Sequence, residues 1–174
     1  MPSIKKTSLK VLSLVVVSII TAVFGCKVHY GLKDITIPPD VNTVKVNFIE
    51  NRAPYVNPQL SPQLTDKLRQ KIVSQTRLKQ TNGDNADWDI SGTITDYSFT
   101  TSGISNQRTT TSRINVAVHL TLLDQKSGKT KEYNVTRSFD FSSTQSLQQA
   151  EAGLLPEMIK GMADDIFNQI FSNW

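Results

Sequence analysis

Residues 113–124 read RINVAVHLTLLD. Ile114, Val116, Val118, Leu120 and Leu122 alternate with Asn115, Ala117, His119 and Thr121. Period two held over five steps predicts a β-strand with one face buried and the other open. Gln125, Lys126, Ser127, Gly128 and Lys129 follow as a turn, with Gly128 supplying a left-handed position. Tyr133, Val135, Phe139 and Phe141 then mark a returning strand, and Arg137 shares their parity. Pairing the turn symmetrically about Ser127 and Gly128 sets residue 113 opposite residue 142. An antiparallel hairpin with one apolar face needs a covering layer.

A third strand precedes this pair. Trp88, Ile90, Gly92 and Ile94 recur at period two, and the strand extends through Tyr97 and Phe99. Gly92 at an inward position predicts a bulge or the close approach of a helix. Residues 100–112, TTSGISNQRTTTS, read as a long polar hairpin connection. Residues 81–87, TNGDNAD, are a turn by composition. Farther back, Val44, Val46 and Phe48 alternate with Lys45 and Asn47, a short half-buried strand. Residues 51–58, NRAPYVNP, form a polar loop.

The covering layer comes from two amphipathic helices. Ser61 and Pro62 make a helix start, Ser as N-cap and Pro in the first turn. Leu64, Leu68 and Ile72 then recur every four residues, with Val73 beside them, to about Arg77. Lys67, Arg69, Lys71, Arg77 and Lys79 oppose only Asp66 here; a solvated face or an anionic partner would account for them. At the other end Leu154, Met158, Met162, Ile166 and Ile170 keep helical spacing, reinforced by Ile159, Phe167 and Phe171. Pro156 should kink this helix or restart it. The terminal Trp174 suggests a docked end. The order β-α-β-β-β-α predicts an α+β two-layer sandwich, a sheet of about four strands with both helices on one face.

The N-terminal segment is of another kind. Lys5, Lys6 and Lys10 precede VLSLVVVSIITAVFG at residues 11–25, an uncharged run ending at Cys26, the only cysteine. A basic start, a short apolar run and a small residue before the cut describe a secretory signal peptide. The run is short for a spanning helix, which needs about 20 apolar residues. Residues 23–26, VFGC, resemble a bacterial lipobox, although Phe24 is bulky for it. An uncleaved anchor and an ordinary signal peptide are the other readings. Acylation at Cys26 would account for a lone cysteine in an exported chain. Two or more acyl chains would fix it to a bilayer. Residues 26–43, with Pro38 and Pro39, then read as a lipidated tether, and residues 44–174 as a single domain.

The formal charge is +4, but three positive charges lie in the leader. After residue 25 there remain 16 Lys+Arg against 15 Asp+Glu. The pI near 9.2 therefore gives no argument for nucleic acid. Catalytic motifs are missing: there is no Gly-rich phosphate loop, HExxH or GxSxG. His29 and His119 are far apart, and a metal wants three or four ligands, so neither a metal nor a cofactor is expected. Asp164 and Asp165 are helical neighbours about 100° apart, unsuited to paired acid–base work. A non-enzyme is expected; an exported hydrolase would need a pocket with perturbed titratable groups.

The quoted strands and helices carry a resemblance. VKVNFIENRA, LSPQLTDKLRQKIVSQTRL, ADWDISGTITDYSF, RINVAVHLTLLD and the closing DDIFNQIFSNW follow a lipobox in the order seen in the lipopolysaccharide-assembly lipoprotein family LptE. The resemblance implies an anchor in the inner leaflet of the outer membrane, facing the periplasm. It implies a plug-and-barrel complex with the large β-barrel LptD and a part in delivering lipopolysaccharide to the outer leaflet. A plug in a barrel must show a polar surface, which the Ser, Thr and Asn residues of the strands would supply. Arg108, Arg113, Lys131 and Arg137 lie on or beside the central strands and are candidates for lipid A phosphates. Arg113 and Arg137 would then converge on one headgroup; a solvated strand-end charge is the plain reading of each. Outside this family, a pilot or scaffold lipoprotein for another barrel or secretion complex would share the anchor and the fold.

Overall fold

The computed structural model describes residues 37–105 and 108–172. Six strands form one mixed sheet. They are β1 (Thr43–Val46), β2 (Glu50–Asn51), β3 (Lys79–Gln80), β4 (Trp88–Ser105), β5 (Arg108–Asp124) and β6 (Lys129–Ser142). The helices of the described residues are α1 (Leu60–Gln75) and α2 (Leu147–Phe171). The sheet order is β3-β1-β4-β5-β6, and β2 also pairs with β4. β4, β5 and β6 are antiparallel, as the hairpin reading requires. β1 instead joins β4 and β3 in parallel, and β2 joins β4 in parallel. The expected four strands become six because β2 and β3 are two residues each, too short for any periodicity to register.

The largest departure is at residues 100–112. In place of a connection running from residue 100 to residue 112, β4 pairs with β5 out to Ser105 and Arg108, with register shifts at Thr101, Gly103 and Ile104. Polarity misled, because a hairpin arm beyond the core needs ladder hydrogen bonds but no apolar face. Thr is itself a good strand residue.

A second irregularity re-aims β4. Between Ile94 and Asp96 the register slips by one, leaving Thr95 as the extra residue. The inward parity passes from Ile90 and Ile94 to Tyr97, and all three are buried. The bulge thus lies three residues past Gly92. A Cβ at Gly92 would sit 2.9 Å from Leu120 and 3.3 Å from Ile49, so side chains rather than a helix crowd it.

In α1, Leu60, Leu64, Leu68 and Ile72 are all wholly buried. The helix starts at Leu60, two residues before the start that Ser61 as N-cap would give. Gln59 takes the cap position without a side-chain bond. Ser61 is buried inside the first turn, its hydroxyl unpaired among the described residues. Val73 is 51% exposed, off the stripe. In α2 a capping box joins Ser146 and Gln149, and the helix continues through Pro156 without a restart. Leu155, Met158, Met162, Ala163, Ile166, Phe167 and Phe171 bury its apolar stripe, and Leu154 is only half-buried. Both stripes meet the inward face of the sheet in one core. Among the described residues nothing covers the other face of β4, β5 and β6, whose side chains are half-buried or exposed.

Candidate functional site

The open face has a definite chemistry. Asp89, Ser91 and Thr93 stand on β4; Arg113, Asn115, His119 and Thr121 on β5; Asn134, Ser138 and Asp140 on β6. Cross-strand hydrogen bonds tie many of them. His119 Nδ1 meets Asn134 Oδ1 at 2.9 Å. Ser138 Oγ donates to Asn115 Oδ1 at 2.8 Å, and Asn115 Nδ2 donates to Thr100 Oγ1 at 3.2 Å. A ladder of this kind presents a polar, fixed surface. Among the described residues no three metal-binding side chains converge.

A cleft of about 460 Å³ opens on this face where β1 and β2 meet β4. Asn47, Phe48, Glu50, Arg52, Gly92 and His119 contribute to it. Phe48 is 53% exposed, although its parity with Val44 and Val46 predicted burial. β1 stops at Val46, and Ile49 takes the buried place instead. The adjacent apolar pair Phe48-Ile49 was the sequence signal for this break, since one of two neighbours in extended chain must face out.

At the other end of β4, a buried carboxylate organises the loop before α1. Glu151 accepts from Tyr97 Oη at 2.9 Å, Tyr55 Oη at 3.1 Å and Asn57 Nδ2 at 3.4 Å. Burial first, and then the Glu151 contact, holds the Tyr97 hydroxyl well above the usual phenol range. Tyr55 stacks on Tyr97 with ring centroids 5.5 Å apart, and Phe99 packs edge-on to both. Nothing in the sequence links Glu151 to residues some 50 and 96 positions earlier.

The four basic candidates do not assemble. The hairpin turn has four residues, with Asp124 opposite Lys129, so Arg113 faces Asp140 rather than residue 142. Arg113 lies on the open face, bound to Asp140 with Nη2 to Oδ2 at 3.0 Å. That contact holds the Asp140 carboxyl below its ordinary range. Arg137, opposite Val116, lies on the helix-covered face and binds Asp165 of α2 at 2.9 Å. Opposite faces of one sheet cannot converge on a single headgroup, so the pair expected from the hairpin does not form. Lys131 is exposed near the turn end of β6. Arg108 pairs its backbone with Ser105; its side chain lies outside the described residues, as does Cys26.

Most of the basic residues in and after α1 have internal work. Arg69 donates to Val46 O at 2.7 Å, and Lys71 binds Asp164 at 2.6 Å while lying 5.0 Å from the Phe167 ring centroid. Arg77 donates to the carbonyls of Ile37 and Pro38. Asp164 and Asp165, adjacent on α2, therefore serve different elements, one α1 and the other β6.

The sequence profile of the LptE family, described as lipopolysaccharide-assembly, matches residues 41–170. This chain belongs to the LptE family. The matched segment runs from just before β1 to the end of α2, the whole sheet and both helices. Among solved structures, protein XCC0632 from Xanthomonas campestris is similar at TM-score 0.54 and 11% identity, covering 79% of this chain and 92% of its own. A minor lipoprotein from Acinetobacter baumannii is similar at TM-score 0.50 and 14% identity, covering 74% and 91%. At such identities the likeness is one of fold. No curated protein matches by sequence. No described helix is long and apolar enough to cross a membrane.

Proposed function

We propose that this LptE-family chain is an outer-membrane lipoprotein, acylated at Cys26, that partners and plugs an LptD-type β-barrel. It assists assembly of that translocon and the delivery of lipopolysaccharide to the outer leaflet. The observation that carries the reading is the family match over residues 41–170. The open sheet face supports it. A barrel lumen is lined by alternate, mostly polar side chains, and a plug must offer hydrogen-bonding groups without exposing a large apolar patch. The protein acts by binding rather than by catalysis. In this reading the basic candidates meet lipopolysaccharide as separate contacts: Lys131 carries no ion pair among the described residues, whereas Arg113 and Arg137 would first have to leave their aspartates.

The test is a tagged full-length protein purified from membranes in mild detergent, with its companions identified by mass spectrometry. Recovery of an LptD-type barrel in stoichiometric amount is expected. Recovery of a different barrel or a secretion complex, with no LptD, would favour the pilot or scaffold reading instead.

A further inference from the structure

A groove of about 650 Å³ lies between the last turn of α2, the turn joining β5 to β6, and the start of β6. Its floor is apolar: Trp88, Leu122 and Ile170, with Pro38 at one side. Its rim is polar. Lys129, Lys131 and Tyr133 occupy alternate positions of β6 and so share one face, and all three line the groove. Neither lysine has an acidic partner among the described residues. Asp124, the acid in the lining, is engaged in the turn, accepting from the backbone N–H of Lys126 and Ser127.

Trp88 is 5% exposed, and its indole Nε1, without an acceptor among the described residues, is closed off from solvent, so the ring offers the groove apolar surface alone. Pro38 fixes where the groove lies along the chain. It is 12 residues after Cys26, a span of at most about 40 Å when extended. The first described residues therefore lie beside the groove.

We infer that this groove binds the headgroup of an anionic glycerophospholipid from the leaflet that holds the anchor, its phosphate on Lys129 and Lys131 and its glycerol and first methylenes over Trp88, Leu122 and Ile170. A volume of a few hundred Å³ with apolar walls and few polar groups is ordinary for such a ligand. Ammonium groups are strong point-charge partners for phosphate. The location near a leaflet rests on acylation at Cys26; binding by the groove itself does not, and it is separate from the barrel partnership.

The test uses the full chain in an uncharged maltoside detergent, with Trp174→Phe so that Trp88 is the only tryptophan emitter. Three probes are titrated: dihexanoylphosphatidylglycerol, dihexanoylphosphatidylcholine and inorganic phosphate. Phosphatidylglycerol alone should give a saturable change in Trp88 emission. Lys131→Gln should weaken it by about tenfold, and Lys129→Gln comparably. Lys160→Gln, a surface change elsewhere, should leave it unaltered. Cys26→Ser should bind the probe as the parent does, so failure of acylation and failure of the groove are told apart. Equal binding of phosphatidylcholine, saturation by phosphate alone, no binding, or indifference to both lysine changes in variants with unaltered circular dichroism would each overturn the proposal.

Discussion

Single side chains in this protein act mostly as ties between segments distant in sequence, and Asp87 shows how. Its carboxylate accepts from the backbone N–H of Asn42 at 2.7 Å and of Thr43 at 2.9 Å, while Thr43 Oγ1 accepts from Asp87 N. Those backbone bonds first, with help from Thr43 and Lys126, lower its pKa to about 2. A depressed carboxylate contributes stability that is whole above its ordinary range near 4 and is lost as pH falls through about 2. Wild-type stability in urea should therefore drop more steeply between pH 4 and pH 2 than that of Asp87→Asn. Parallel curves would mean that the clamp contributes nothing. Tyr97→Phe tests the other tie. It removes a donor from a carboxylate that is 7% exposed. Loss of roughly 1–3 kcal/mol is expected from denaturant midpoints at constant slope, since a bond to a charged group is the stronger kind.

Between elements, a close approach joins α2 and β6. A Cβ at Gly161 would lie 2.8 Å from Arg137 Nε and 3.0 Å from Cζ, so the guanidinium crosses the helix backbone there on its way to Asp165. Glycine inside a helix costs about 1 kcal/mol relative to alanine, a cost offset here by the room it gives Arg137. Gly161→Leu should destabilise by roughly 1–3 kcal/mol through overpacking. The penalty should shrink when Arg137→Ala vacates the space, and a double-mutant cycle measures the difference. Additive single effects would show that the two do not share that space. At the hairpin, Gly128 has φ of 66°, so Gly128→Ala should cost about 1 kcal/mol, read from thermal or urea unfolding.

For the whole molecule, two expectations concern what lies before the domain. Acylation predicts that the mature protein carries lipid mass at Cys26, and that Cys26→Ser gives an unprocessed or mislocalised product. An intact mass equal to the bare cysteine form would remove the anchor from the account. Among the described residues, every element that contributes to the core is β1 or a later one. A chain beginning at Asp34 should therefore unfold in one cooperative transition, with fluorescence and circular dichroism coinciding. Divergent transitions would show that the leader or tether helps to hold the fold.

What the sequence determined alone is whatever repeats. The alternation in β4, β5 and β6 and the four-residue spacing of Leu64, Leu68 and Ile72 announced a sheet with two covering helices, because burial selects for period. Gly128 announced its turn because few residues tolerate a positive φ. The lipobox-like stretch and the element order were enough to suggest the family. Tertiary structure decided what depends on partners. β2 and β3 exist only because β4 and β1 offer them a ladder, and the arm up to Ser105 and from Arg108 pairs without an apolar alternation in its sequence to mark it. The Thr95 bulge and the four-residue turn each changed the pairing register by one or two places. Register is a property of two strands together, so neither strand carries it alone. That is why the expected Arg113–Arg137 site came apart, and why the bond between Glu151 and Tyr97, and the groove beside Trp88, became visible only once distant segments had packed.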